Sequence, residues 1–206
     1  MGYIKFWSHA DPELLCFERI QTLKCDLLAH LSLYSLLFDY SNNHRSHRNC
    51  YSEMTISSRL AFVRKVWQTF VENEGLEKSI LRNMTITDAS DGKIICELPV
   101  EKMHLNRLGS AHGGFLSTLV DIGGSVVLCT KGMHSTGVST DLNVTFINPA
   151  KEGDIIVMDS ECVKVGKTIA YTVVDIRNKK DGKLIAQGRH TKFIAIAHKD
   201  PKNVKL

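Results

Sequence analysis

The chain has 206 residues, 43% hydrophobic and 23% charged, which suits one medium-sized globular domain, or one domain with an extension. Its formal net charge of +4 is uneven: residues 1–53 hold five Lys or Arg against six Asp or Glu, and residues 54–206 hold 21 against 16. That mild, dispersed excess suits an anionic small ligand and argues against a nucleic-acid partner.

Asp11-Pro12-Glu13 reads as a helix start, with Asp as N-cap and Pro at the first helical position. Leu15, Ile20, Leu23, Leu27, Leu31, Tyr34 and Phe38 follow at roughly helical spacing. The longest apolar stretch, Leu27 to Phe38, includes His30, two serines and Tyr34 and is too short to cross a bilayer, so no transmembrane segment is expected. It lies too far from a basic N-terminus for a good secretory signal, and residues 1–53 hold too many acids for a good mitochondrial presequence. Ser41 to Glu53 is polar and reads as a linker. His44, His47 and Cys50 have a spacing that zinc could use, but no fourth ligand follows at a recognisable distance, and a solvated basic linker is the preferred reading. No metal is expected. The six cysteines (Cys16, Cys25, Cys50, Cys96, Cys129, Cys162) form no CxxC pair, which points to a reducing compartment without a disulfide framework.

From Met54 the pattern changes. Leu60 to Glu72 has helical periodicity, with Val63, Val66, Trp67 and Phe70 on one face. Strands are expected over Ile80 to Thr87 and Lys93 to Val100, flanking the hairpin turn Asp91-Gly92. Phe115 to Thr130 reads as a nearly apolar helix carrying one acid, Asp121, and two internal glycines, Gly123 and Gly124. A buried carboxylate costs several kcal/mol unless it is paired or used, and each glycine costs about 1 kcal/mol relative to Ala. Gly137 to Asn148 then alternates: Val138, Leu142, Val144 and Phe146 on one face, Ser139, Asp141, Asn143 and Thr145 on the other. Asp154 to Val165, Thr168 to Asn178 and Lys183 to Ala197 complete the strands, joined at Gly166 and Asp181-Gly182. Short connections imply an antiparallel sheet, and one apolar helix can be covered only if that sheet curls around it, giving an α+β fold.

Gly113 and Gly114 sit where the central helix begins, with unpaired N–H groups at the positive end of its dipole. A carbonyl oxygen that becomes negative would suit that position, although a purely structural turn satisfies the same residues. Asp121 is a candidate general base or nucleophile; the alternative is a buried acid capped by Ser117 and Ser125, which share its face. Asn106 can donate an amide N–H to a carbonyl, or simply cap its loop. Ser139 lacks a Gly-x-Ser-x-Gly elbow, so orienting water or substrate fits it better than nucleophilic attack. Cys129 lies at the helix C-terminal end, where the dipole disfavours a thiolate.

With those residues in view, Asn106 through Phe193 resembles the hotdog-fold acyl-CoA thioesterases. The resemblance is carried by Asn106-x5-His112-Gly113-Gly114, Leu119-Val120-Asp121, Gly137-Val138-Ser139-x-Asp141-Leu142-Asn143, Pro149-Ala150-Lys151-x-Gly153-Asp154, Gly166-Lys167-Thr168 and Gly182 through Lys192. It covers about residues 54–197, so the expected organisation is an N-terminal extension over 1–53, a hotdog domain over 54–198 and a polar tail over 199–206. The extension matches nothing in the family, and an alternative start, a targeting or docking helix, or a non-native segment from an unreliable gene model would each account for it.

The resemblance implies a sheet wrapped around the central helix, assembled as a homodimer and commonly a homotetramer, with sites at the dimer interface. The implied activity is hydrolysis of medium- to long-chain acyl-CoA to fatty acid and coenzyme A, in the cytoplasm or the mitochondrion. Coenzyme A is then part of substrate and product, and no separate cofactor is implied. Asp121 would activate the water and Ser139 would orient it. Asn106 and the Gly113 N–H of the partner subunit would polarise the thioester carbonyl, while His112 would shape the turn. Ser139, Asp141, Phe146 and Lys164 are implied coenzyme A contacts; Arg189, His190 and Lys192 join them as phosphate partners on charge grounds. A non-catalytic acyl-CoA binder or scaffold is the alternative on the same fold.

Overall fold

The computed structural model describes residues 56–205. The helix expected after Asp11, the linker from Ser41 and the His44, His47, Cys50 group lie outside the described residues.

Helix α1, Ile56–Glu72, buries Val63, Val66 and Trp67, as the periodicity predicts, and is tied to the sheet by Arg64, whose Nε and Nη2 donate to the Ile86 carbonyl at 3.0 and 2.7 Å. A short helix, α2 (Leu76–Leu81), takes the first residues of the strand expected from Ile80, so β1 runs over Thr85–Ser90 instead. Leu76 and Ile80 are an i,i+4 pair, and in so short an apolar segment periodicity does not separate helix from strand. Strand β2, Lys93–Pro99, closes the hairpin at Asp91-Gly92, where Gly92 has φ +75°.

The central helix α3 spans Gly113–Val126 and tightens into a 3₁₀ turn over Val127–Lys131, stopped by Gly132 at φ +82°. Together Gly113–Lys131 is long and apolar enough to cross a membrane by length and composition alone, but 72% of that window is buried within the fold, as a core helix should be. Strands β3 (Val138–Phe146), β4 (Ile155–Val165), β5 (Ile169–Asn178) and β6 (Leu184–Phe193) complete one antiparallel sheet of order β1-β2-β4-β5-β6-β3. β6 ends before the predicted Ala197 because Ala197–Lys199 turns as a 3₁₀ helix. The chain end then docks on the turn after α3: Val204 N donates to the Gly132 carbonyl and His134 N to Asn203 Oδ1.

The sheet lies against α3 as the resemblance implies, and the glycines explain how closely. A Cβ on Gly123 would sit 2.6 Å from Ser160 Oγ, and one on Gly124 would sit 2.5 Å from Thr172 Oγ1 and 2.6 Å from His190 Nδ1. From the other side, a Cβ on Gly188 of β6 would overlap Val120. Helix propensity is given up here for close approach of helix to sheet.

β3 departs from the alternation read in the sequence. It is an edge strand, and all of it but Val144 is exposed, including Val138 (62%), Leu142 (40%) and Phe146 (55%). Its pairing also slips: Ser139 opposes Lys192 and Asp141 opposes Thr191, which leaves Thr140 as the extra residue of a β-bulge. The bulge moves Ser139 out of the polar row that it seemed to share with Asp141 and onto the helix-facing side, with Lys192 and His190.

Candidate active site

Two groups of polar atoms lie along α3. The first is at its N-terminus. His112 is the N-cap, and its Nδ1 accepts from the Gly114 N–H at 2.8 Å. Nδ1 of His112 thus holds the turn. The Gly113 N–H has no partner among the described residues and faces a cleft of about 300 Å³ lined by Asn106, Ser110, Gly113, Leu116, Phe146 and Asn148 among others. Asn106 caps its loop: Oδ1 accepts from the Leu108 N–H at 2.8 Å and the Ser110 N–H at 3.3 Å. The amide nitrogen gives one hydrogen to Ser110 Oγ at 3.0 Å and retains a second for the cleft. The Phe146 ring closes one wall, 3.4 Å from where a Cβ on Gly113 would stand. On the other side of the turn, Leu76, Ile80, Met103, Leu105 and Phe115 line an apolar cleft of about 310 Å³.

The second group surrounds Asp121. Its side chain is 41% exposed, so the carboxylate is not buried as the apolar run suggested. Ser117 and Ser125 do not cap it. Ser139 Oγ donates to Asp121 Oδ1 at 3.0 Å, and His190 Nε2 lies 2.9 Å from Ser139 Oγ and 3.3 Å from Asp121 Oδ1. His190 is fully buried; burial first, then the charge of Lys192, pushes its imidazole below the ordinary value, against the opposing pull of Asp121 and Asp141. Lys192 is also buried and donates to Ser125 Oγ at 2.7 Å. Burial lowers its ammonium below the ordinary value, partly offset by Asp121. The sequence reading named His190 and Lys192 only as phosphate partners; it missed that both turn inward beside Asp121.

The same alternation divides the expected coenzyme A contacts. Arg189 is exposed on the outer face of β6, whereas His190 and Lys192 face the helix, so the charge argument that grouped the three fails on strand geometry. On the outer face, Lys164 pairs with Tyr171, Tyr171 with Thr191 and Thr191 with Asp141, placing Lys164 and Asp141 at the two ends of one cross-strand row. Arg189, opposite Asn143, lies beside that row. Among the described residues no group of three or more His, Cys, Asp or Glu could hold a metal ion. Burial pushes the Cys129 thiol up to about 12, which leaves it no role as a nucleophile.

Comparison with known proteins identifies the family. Residues 108–185 match the thioesterase superfamily model. Human acyl-coenzyme A thioesterase 13 is 44% identical over 140 residues, covering 68% of this chain and 99% of that protein. The chain belongs to the thioesterase superfamily. Mouse thioesterase superfamily member 2 superposes with a TM-score of 0.61 at 41% identity, over 68% of this chain and 99% of the mouse chain. A hypothetical thioesterase protein from Streptococcus pneumoniae, solved with coenzyme A, superposes at 0.53 and 30% identity, over 56% of this chain and 88% of that one. The six-stranded sheet around a central helix is thus the superfamily's hotdog fold.

Proposed function

We propose that this thioesterase-superfamily chain hydrolyses medium- to long-chain fatty acyl-CoA, with water activated by Asp121 at a site completed by a second copy of the chain. One observation carries the reading: an otherwise apolar core helix holds a single half-exposed carboxylate, and Ser139 donates to one of its oxygens at 3.0 Å. Asp121 Oδ2 has no hydrogen-bond partner among the described residues and is free to take a proton from water. The water oxygen bonds to the thioester carbon, the carbon–sulfur bond breaks, and the proton held by Asp121 passes to the leaving thiolate. Asn106 Nδ2 and the Gly113 N–H stabilise the oxyanion between those steps.

Helix geometry supports a second copy. Gly113 and Asp121 are eight residues apart on one α-helix, a rise of ~12 Å, whereas an attacked carbonyl must lie about 3 Å from both its donors and its water. Two antiparallel copies of the helix would bring the start of one beside Asp121 of the other. The exposed apolar edge β3, with Val138, Leu142 and Phe146 beside the site, is the surface to cover in that pairing. Lys164 and Arg189 on the outer face are the cations proposed for the coenzyme A phosphates, with Asp141 beside them, and the apolar cleft beside Phe115 offers room for the acyl chain. Release of thiol from palmitoyl-CoA, measured for the full chain and for Asp121→Ala, tests the reading. Turnover that is lost in the folded variant supports it; folded protein that binds coenzyme A without turnover would make the chain a non-catalytic binder.

A further inference from the structure

His190 has a place in this site that its charge alone does not suggest. Its ring is sealed between α3, β3 and β5: Gly124 leaves room for it on the helix, and Thr172 Oγ1, 3.1 Å from the His190 carbonyl, is committed to that backbone oxygen. Nδ1 is buried with no hydrogen-bond partner. Only Nε2 is engaged, with Ser139 Oγ at 2.9 Å and Asp121 Oδ1 at 3.3 Å.

The proton count fixes the direction of this chain. Ser139 has one hydroxyl hydrogen, and Asp121 Oδ1 accepts it at 3.0 Å. Ser139 Oγ can then only accept from His190, so Nε2 carries the ring hydrogen and Nδ1 is a bare lone pair, which buried sites tolerate better than an orphaned N–H. The charged groups acting on the ring are Lys192 on the same strand, Asp121 on α3 and, from the outer face of β3, Asp141. Burial and Lys192 outweigh the two acids and keep the ring neutral, with one hydrogen to place.

We infer that His190 is a positioning residue: its Nε2–H holds the Ser139 hydroxyl so that its hydrogen points at Asp121 Oδ1, leaving Oδ2 for the attacking water. The Ser139 side chain sits next to the Thr140 bulge on an exposed edge strand, where its only other described side-chain bond is the one to Asp121. His190 supplies that constraint from the rigid interior. The inference rests on the proposed role of Asp121 as base.

The test is a pair of polar replacements in the full-length chain. His190→Gln keeps an amide N–H near the position of Nε2; His190→Asn keeps one only near Nδ1. With palmitoyl-CoA as substrate, His190→Asn is expected to lower kcat by roughly 10- to 10²-fold with KM changed little, and His190→Gln to recover most of that loss. Placing His190→Asn in a Ser139→Ala background should add little further loss, because His190 acts through Ser139. Equal losses in the Gln and Asn variants at equal thermal stability, or a full additional loss in the Ser139→Ala background, would overturn the inference by reducing His190 to a packing residue. Asp121→Ala run alongside separates the two levels. If it stays active the base assignment falls, whereas a dead Asp121→Ala with fully active His190→Asn removes only the role given to His190.

Discussion

The two polar groups on α3 are built in opposite ways. At the helix start, Asn106, Ser110, His112, Gly113 and Gly114 lie within nine consecutive positions, and the side-chain hydrogen bonds of Asn106 and His112 stay within that stretch. At mid-helix, Asp121 depends on Ser139 from β3 and on His190 and Lys192 from β6, 18 to 71 positions along the chain. The first group is a local backbone device whose donors exist once the helix starts; the second exists only when the whole sheet has closed over the helix. Damage to the first should therefore remove transition-state stabilisation at only a small cost in stability. Damage beneath the second should disturb stability and turnover together.

The largest effect expected is from Asp121→Ala, which should lower thiol release by roughly 10²–10⁴-fold. Its half-exposed side chain makes little contribution to packing, so the melting temperature should stay near that of the wild type. Asn106→Ala comes next, with a loss of roughly 10²–10³-fold for one oxyanion donor. It also deprives the Leu108 and Ser110 N–H groups of their cap, so a modest stability loss should accompany it. Gly124→Ala probes the buried side of the comparison. The added methyl meets Thr172 Oγ1 and His190 Nδ1 at 2.5 and 2.6 Å, which should destabilise the protein by about 1–3 kcal/mol and lower kcat at the same time. A Gly124→Ala protein with normal kcat would break the link between that packing and the site. His112→Ala, at the other end, removes only an N-cap and should cost about 1 kcal/mol.

The smallest effect is a pH dependence of stability. His190 titrates below its ordinary 6.5 in the folded protein, so in mildly acidic solution the unfolded chain binds a proton that the folded chain does not. Stability should therefore fall as pH drops below about 6.5, and denaturant melts of His190→Gln should show a shallower fall over the same range.

Much of the fold is legible in the sequence because each strand carries its own turn signal: Asp91-Gly92, Gly166 and Asp181-Gly182 all fall at strand ends in the structure. The site is legible where it is local, since His112-Gly113-Gly114 announces a helix start with open N–H groups. It is less legible where it depends on register. A bulge of one residue at Thr140 reverses the face of Ser139, and no periodicity in so short a strand signals it. Likewise Arg189, His190 and Lys192 look like one basic cluster until strand alternation sends the first outward and the other two inward. The half-exposure of Asp121 could not be read from an apolar run either, because the gap in its cover belongs to a surface that a second copy is proposed to fill.

That proposed sharing of the site is the central claim, and complementation between inactive variants tests it most directly. Asp121→Ala and Asn106→Ala chains are each expected to be nearly inactive alone. Co-expressed, or unfolded and refolded together, they should form mixed dimers in which one of the two sites unites an intact Asp121 from one copy with an intact Asn106 from the other. The account predicts thiol release from palmitoyl-CoA recovering to about a quarter of the wild-type rate in a statistical mixture. A mixture that forms mixed dimers yet stays as inactive as its components would contradict it, and would place the whole site within a single chain.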